Sequence, residues 1–179
     1  MKTTYYVASS LDGFIAESDG AVDFLDIIGA EPNTDAYDQF FAGVDALLMG
    51  RRTYDQVLGF GEWPYGDRPC WVMTHRELDP NSATVGAIAG TPQQVHGQIA
   101  ARSYQHLWLV GGANLAAQFL HQGLIDQIVV SLLPIVLGQG IPLFSNLPDQ
   151  VLLSLNDVTA RDCGIVELTY VLAGAVENQ

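Results

Sequence analysis

Two short stretches place glycine between an apolar strand pattern and the start of a helix. One reads Val110-Gly111-Gly112-Ala113-Asn114-Leu115, and the other reads Met49-Gly50-Arg51-Arg52-Thr53-Tyr54. Glycine lets a ligand approach the backbone closely, and the N–H groups of a helix N-terminus favour a phosphate. Neither stretch carries the full G-x-G-x-x-G fingerprint, so the sequence does not predict an ordinary dinucleotide-binding fold. A tight turn that needs glycine only for its geometry is the alternative interpretation.

Basic and hydroxyl side chains accompany these turns. Arg51 and Arg52 could make planar, charge-assisted bonds to a phosphate, although a solvent-facing pair is an equal alternative. Thr74, His75 and Arg76 follow another strand pattern, and open α/β sheets bind ligands beyond the carboxyl ends of their strands. These three residues could meet a ribose phosphate or form an ordinary polar turn. Two strand-glycine-helix turns in one sheet could hold the two ends of one dinucleotide.

Other common site chemistries lack their residues. The four histidines are scattered, and Cys70 and Cys163 have no C-x-x-C spacing, so no metal site is predicted. No G-x-S-x-G elbow is present, which leaves a hydrolase triad unsupported. Hydride transfer needs none of these residues, because the cofactor carries the chemistry and the protein positions it.

The charge of the chain restricts its partners. The 179 residues include 7 Lys+Arg against 20 Asp+Glu, a formal net charge of −13. Nucleic acids and anionic membranes need a basic surface, so neither is an expected partner. No secretory signal or membrane-spanning stretch is visible, and two cysteines do not make a disulfide framework. We therefore expect a reduced, cytoplasmic setting.

Strand and helix patterns alternate through the first two thirds of the chain. Strands are expected at 3–9, 45–49, 69–74 and 106–110, with helices after Asn33, Gly50, Thr91 and Gly112. The last third reads as three long β segments with no helix between them. This order predicts a single α/β domain over 1–179, with a mostly parallel sheet and antiparallel strands added at one side.

The order of four motifs resembles the dihydrofolate reductase-like fold, and specifically the reductase domain of riboflavin-biosynthesis deaminase–reductases. The motifs are SLDGFIA (10–16), DALLMGRRTY (45–54), LWLVGGANLAAQFLHQGLID (107–126) and LPIVLGQGIPLF (133–144). The resemblance covers nearly the whole chain. It implies a three-layer architecture in which helices flank both faces of the sheet.

The resemblance also implies an NADPH site. Gly50, Arg51, Arg52 and Thr53 would hold the adenosine-side phosphates, and Thr74, His75 and Arg76 would flank the 2′-phosphate and adenine. The turn after Val110, formed by Gly111, Gly112, Ala113, Asn114 and Leu115, would receive the pyrophosphate. Ala8 and Ile15 would line the nicotinamide, and SLDGFIA would cover the active site. Asp12 resembles the family's Asp in that loop and is the candidate catalytic residue.

The implied activity is NADPH-dependent reduction of a small heterocyclic, pyrimidine- or pterin-like substrate by hydride transfer. It resembles the 5-amino-6-(5-phosphoribosylamino)uracil reductase of riboflavin biosynthesis. A phosphoribosyl substrate, however, needs cationic side chains to bind its phosphate, and this chain has only 7 Lys+Arg. Asp35 and Asp38 are alternative carboxylates near the expected first helix. The alternative functions are a nucleotide-binding or regulatory module without turnover, and a purely structural oligomerisation domain.

The long apolar run from Ile125 to Leu137 and the late strands offer more β surface than one domain face needs. Together with the resemblance, this predicts a homodimer. Burial of the whole run inside one domain is the alternative.

Overall fold

The computed structural model describes residues 1–28, 34–78 and 83–172. The strands in these ranges are β1 (Lys2–Ser10), β2 (Phe14–Ala16), β3 (Ala46–Gly50), β4 (Cys70–Met73), β5 (Val85–Ile88), β6 (His106–Gly111), β7 (Gln127–Leu133), β8 (Ile141–Pro142), β9 (Leu153–Ala160) and β10 (Val166–Leu172). The α-helices are α1 (Thr34–Ala42), α2 (Arg51–Gly59), α3 (Pro92–Ala100) and α4 (Ala113–His121), and a 3-10 helix spans Asp23–Ile28.

Eight of the described strands form one sheet in the order β5-β4-β3-β6-β1-β7-β10-β9. The pairs from β5 to β7 are parallel, and β10 runs antiparallel to both β7 and β9. The other two strands, β2 and β8, form a small antiparallel pair. The sequence-based prediction of a mostly parallel sheet with antiparallel C-terminal strands is confirmed.

Alternating side chains divide the core between the two faces of the sheet. On one face Leu48 joins a buried cluster with Val95 of α3 and Phe119 of α4. On the other face Leu47 joins a cluster with Val57 of α2, and aromatic residues of α1 pack against it. Because successive strand residues point to opposite faces, each central strand needs cover on both sides. Helices supply that cover, which confirms the three-layer architecture.

Local signals explain why α3 begins at its observed position. The Thr91 Oγ1 atom accepts a hydrogen bond from the Gln94 backbone N–H, and the Gln94 side chain accepts one from the Thr91 N–H. Pro92 occupies the first helical turn, where its missing N–H costs nothing. The helix predicted to start at Thr91-Pro92 is therefore confirmed.

Several features differ from the sequence-based expectation or lie outside the described residues. The Asp12-Gly13 pair predicts a turn into an irregular loop over 10–16, but strand β2 forms at the end of this segment. Strand β5 and the 3-10 helix over Asp23–Ile28 were not predicted. The expected helix cap Asn33 and the segment 79–81, whose residue types predict a turn, fall outside the described ranges.

The structure buries part of the apolar surface on which the dimer prediction was based. Strand β7, which holds most of the run from Ile125 to Leu137, lies between β1 and β10, and Ile128, Val129 and Val130 are buried. The expectation that this run supplies surplus surface is therefore wrong for β7. Exposed apolar side chains lie instead on β9, where Leu155 is 55% exposed and Val158 is 50% exposed.

None of the described helices combines the length and the apolar composition needed to cross a bilayer.

Candidate functional site

The carboxyl ends of β3, β6 and β1 meet at one edge of the sheet, because these three strands are neighbours and parallel. Both predicted glycine turns start at that edge. Their backbones come close together: a Cβ atom on Gly50 would lie 3.8 Å from the Gly112 nitrogen and 3.9 Å from the Gly111 oxygen. The fold thus brings two segments about 60 residues apart in sequence into one site.

A cavity of about 770 Å³ opens at this edge. This volume lies within the range of about 300–1,000 Å³ that small-molecule and cofactor sites cover. Most residues predicted to bind the cofactor line it, namely Ala8, Ile15, Gly50, Arg51, Arg52, Thr53, Val110, Gly111, Gly112, Ala113, Asn114 and Leu115. Sequence reasoning missed another part of the lining, which includes Tyr6, Val7, Ala16, Val22, Leu25, Gln56, Val57 and Phe60.

Two helices begin at the cavity wall, α2 after Gly50 and α4 after Gly112. The first turn of an α-helix leaves about four backbone N–H groups without an intrahelical acceptor. Because both N-cap residues are glycines, no side chain satisfies these groups at either cap. The partial positive charge of each helix start therefore faces ligand space, an arrangement that fits a pyrophosphate.

Glycine at position 112 keeps the space between the helix starts open, because a side chain there would press against Thr53. The residues present therefore fit a dinucleotide cofactor: two helix N-termini, a close backbone approach and an adjacent basic pair. This fit is geometric, and the cofactor role of each lining residue stays a prediction.

The two arginines of α2 are held differently. Arg51 Nε donates to Asp55 Oδ1 at 2.7 Å, and its Nη1 atom donates to the Glu77 carbonyl at 3.2 Å. Arg51 thereby ties α2 to the segment that follows β4. Arg52 is exposed at the cavity rim. Of the pair, Arg52 has the greater freedom to turn toward an anionic ligand.

The residues Thr74, His75 and Arg76 lie beside the cavity and outside its lining. Met73, which precedes them, pairs in register with Gly50, so the segment starts next to the beginning of α2. The Arg76 backbone N–H donates to Thr74 Oγ1 at 3.0 Å, which folds the segment into a polar turn. His75 and Arg76 are exposed. This position suits contacts with the outer end of a long ligand, and those contacts stay a prediction.

The candidate catalytic residue Asp12 also lies outside the cavity lining. Its Oδ1 accepts hydrogen bonds from Ser10 Oγ at 2.6 Å and from the Leu137 N–H at 3.1 Å, and its Oδ2 accepts from the Gly138 N–H at 2.7 Å. The Ser10 hydrogen bond, followed by those from Gly138 and Leu137, lowers the pKa of the Asp12 carboxyl. Hydrogen-bond donors on both oxygens favour an anchoring carboxylate over a proton donor, and no observation tests the catalytic role itself.

The alternative carboxylates gain no support from the structure. Asp38 is exposed on α1. The backbone of Asp35 lies in the same helix, but its side chain is outside the described residues.

Tyr6 lines the cavity, and its hydroxyl belongs to a polar network with residues of β7 and β10. Its hydroxyl donates to Glu167 Oε2 at 2.8 Å, and Ser131 Oγ donates to the same oxygen at 3.5 Å. The other Glu167 oxygen lies 3.6 Å from Arg161 Nη2. Burial raises the pKa of Tyr6 to about 12; a hydrogen bond from Ser131 opposes this rise and Glu167 adds to it. Sequence analysis could not detect this contact, because Tyr6 and Glu167 are 161 positions apart and meet only through the register of β10 on β7.

Comparison with known proteins places this fold and site in context. The family described as the RibD C-terminal domain matches residues 2–167. The uncharacterized protein YwjB of Bacillus subtilis is 34% identical over 173 residues, which cover 96% of this chain and 98% of YwjB. A solved structure from Shewanella sp. PV-4, provisionally assigned to riboflavin biosynthesis, is 29% identical with a TM-score of 0.87, covering 96% of this chain and 99% of that one.

The fold extends to dihydrofolate reductases. The enzyme from Enterococcus faecalis, solved in complex with NADP(H), superposes with a TM-score of 0.66 at 14% identity and covers 96% of both chains. At this identity the likeness shows the fold alone, and it confirms the dihydrofolate reductase-like architecture.

Proposed function

Because the chain belongs to the RibD C-terminal domain family, we propose that it is an NADPH-dependent oxidoreductase that reduces a small heterocyclic substrate of pyrimidine or pterin type. The observation that carries the proposal is the convergence of two glycine-started helices and a basic pair on one cavity. The NADP(H) complex of the fold relative supports the same cofactor class.

The chain's own residues would bind the cofactor and orient it. The starts of α2 and α4 would hold the phosphates through backbone N–H groups, with charge from Arg52. Ala8 and Ile15 would form the apolar wall beside the nicotinamide, and Val22 and Leu25 would limit the access of water. When bound, NADPH supplies a hydride, and the protein's contribution is position and environment.

A module that binds the nucleotide without turnover is the second candidate, and one observation favours it. The described lining of the cavity contains no Asp, Glu or His side chain that could relay a proton. Tyr6 is the titratable group that lines the cavity beside the apolar wall. A reductase therefore needs water to deliver the proton, because the Tyr6 hydroxyl already donates its proton to Glu167, whereas a silent module needs no proton source.

A thermal-shift screen with NADPH, NADH, FMN and folates, followed by turnover assays on each hit, tests the proposal. The expected result is stabilisation by NADPH and loss of the reduced nicotinamide absorbance when a heterocyclic substrate is added. Binding without turnover on any heterocycle would favour the silent module. Failure of NADPH to stabilise the protein would contradict both and favour a structural role.

A further inference from the structure

Charge is distributed unevenly along the described cavity lining. The cations that line it, Arg51 and Arg52, both lie on the first turn of α2. The wall around Ala8 is formed by Tyr6, Val7, Ile15, Val22 and Leu25, which carry no formal charge. If the cofactor phosphates occupy the helix starts, these five wall residues offer a substrate an aromatic and aliphatic surface, and the polar side-chain group among them is the Tyr6 hydroxyl.

That hydroxyl has a defined hydrogen-bonding role. Its proton is donated to Glu167 Oε2 at 2.8 Å, and a phenolic hydroxyl has only one proton to donate. The oxygen therefore retains acceptor capacity only, part of which the Ser131 hydroxyl already uses. Packing fixes the ring, since Phe40 meets it edge-on with centroids 4.7 Å apart. A ligand that bonds to this oxygen must bring an N–H or O–H group.

Glu167 belongs to a row of paired residues that runs across the sheet from Ala8, at the expected nicotinamide wall. Ala8 pairs in register with Ser131, and Ser131 pairs with Glu167, so the three residues share one face across β1, β7 and β10. With strands about 4.8 Å apart, the backbone of Glu167 lies roughly 10 Å from that of Ala8. Arg161 offsets the charge of Glu167 at 3.6 Å. A phosphate arriving there would meet the Glu167 carboxylate beside a single arginine, which faces that carboxylate through Nη2 and whose buried Nε has no hydrogen-bond partner among the described residues.

We propose that Tyr6, oriented by Glu167, accepts a hydrogen bond from an N–H group of a planar, unphosphorylated heterocycle bound beside Ala8. The inference rests on the proposed function and narrows its substrate class. Tyr6 is the contacting residue, and Glu167 is a positioning residue that acts through it. The substrate would thus lack the phosphate of the phosphoribosylaminouracil that the family resemblance implies.

Binding measurements on the NADP⁺-saturated protein test this assignment. The probes are lumazine and the matched pair riboflavin and FMN, which differ by one phosphate. NADP⁺ prevents turnover and occupies the helix starts, so FMN cannot bind there through its phosphate. Tryptophan fluorescence reports binding, because Trp108 lies 6.5 Å from Tyr6 between ring centroids. The expected result for the wild type is at least tenfold tighter binding of riboflavin than of FMN.

Tyr6→Phe should weaken lumazine and riboflavin at least tenfold and leave NADP⁺ affinity unchanged. Tyr37→Phe is the matched control, because Tyr37 belongs to the same aromatic cluster, 6.4 Å from Tyr6, but does not line the cavity. Glu167→Gln provides a second readout that does not depend on Tyr6→Phe folding. It leaves Arg161 without its carboxylate, so the preference for riboflavin over FMN should fall severalfold, which a merely structural role would not produce.

The outcomes separate the two proposals. Failure of the wild type to bind NADP⁺ would overturn the proposed function. Normal NADP⁺ binding with unchanged probe affinity in Tyr6→Phe, equal effects of Tyr6→Phe and Tyr37→Phe, or binding of FMN as tightly as riboflavin would overturn this inference alone. Absence of binding by all three probes up to their solubility limits would overturn it as well.

Discussion

The Oγ1 atom of Thr53 lies 3.3 Å from the point where a side chain on Gly112 would begin. This distance is at the tight end of ordinary contacts, so the first turn of α2 limits what can stand at the N-cap of α4. The φ of −86° and ψ of −177° at Gly112 lie in a region that any residue can adopt, and the peptide bond that joins Gly111 to Gly112 is cis. Glycine is required here for space at the site and not for its conformational freedom.

Gly112→Val should abolish NADPH binding while the fold persists. The valine side chain would fill the space between the two helix starts, where the phosphates are expected, and this intrusion is at the site and not in the core. Thermal unfolding and NADPH titration measure the two effects separately. Gly97→Val is the matched control, because Gly97 is exposed on α3 and a Cβ atom there meets nothing within 4 Å. Comparable NADPH affinity in both variants would contradict the phosphate assignment.

Arg52→Gln should weaken NADPH more than NADH. A hydrogen bond to a charged group contributes about 1.5–3 kcal/mol, so its loss should weaken NADPH roughly tenfold to a hundredfold. Arg51→Gln is expected to lower stability as well, because Arg51 also bonds to Asp55 and to the Glu77 carbonyl. Arg102→Gln is the control, because it removes the same charge elsewhere. Arg102 follows the C-terminus of α3 and stacks on Trp71, so this variant should leave the affinities for NADPH and NADH unchanged. Isothermal titration gives the four constants, and an equal loss for NADPH and NADH would refute the 2′-phosphate preference.

The sequence predicted the two glycine turns because their signal is local. A strand, a glycine and a helix start are adjacent in the chain, and parallel neighbours must end at the same edge of the sheet. The pairing of β3 with β6 then brings Gly50 to Gly112. For the same reason the capped start of α3 at Thr91 could be read directly from its residue types.

The features that were missed depend on long-range register or lack a local signal. The contact between Tyr6 and Glu167 requires that β10 pair antiparallel to β7 in one particular register, which no local pattern specifies. Strand β5 has only four residues and contains Gly86, which weakens any strand pattern. The expected catalytic role of Asp12 came from its place in a motif, whereas its partners Leu137 and Gly138 lie more than 120 positions away.

We propose a homodimer in which the exposed side chains of β9 are covered. A bulge in the pairing of β9 with β10 places Leu155 opposite Tyr170 and Val158 opposite Leu168, so both apolar side chains lie on one face of this edge strand. The double variant Leu155→Glu/Val158→Glu should be monomeric, because burying two carboxylates without partners is unfavourable. Light scattering should give twice 19.4 kDa for the wild type and 19.4 kDa for the variant.

Gln98→Glu adds a negative charge on the exposed face of α3 and should stay dimeric. A wild type that scatters as a 19.4 kDa particle at micromolar concentration would reject the dimer. If the double variant is still dimeric, the interface does not lie on the exposed side chains of β9.

Asp12→Asn should lower the stability of the protein at neutral pH. This difference in stability from the wild type should disappear at acidic pH. The carboxylate accepts from backbone N–H groups on both of its oxygens, and an asparagine amide would turn one of those acceptors into a donor facing an N–H. The pKa of Asp12 is lowered in the folded state, chiefly by Ser10, so its contribution is present above its unfolded value of about 3.9 and is lost as pH falls through the folded value. The difference in Tm between wild type and variant should therefore shrink below about pH 4.

The same variant separates the two roles of Asp12. An anchoring carboxylate predicts NADPH affinity close to that of the wild type and turnover reduced only as far as the loop over 135–140 loosens. A proton donor predicts normal NADPH binding and abolished turnover at every pH. Asp12→Glu sharpens the comparison, because it keeps a carboxyl group but lengthens the side chain, which disrupts the 2.6 Å bond from Ser10. Substantial turnover in Asp12→Asn, with a Tm difference that disappears in acid, would assign Asp12 to the loop and leave water as the proton source.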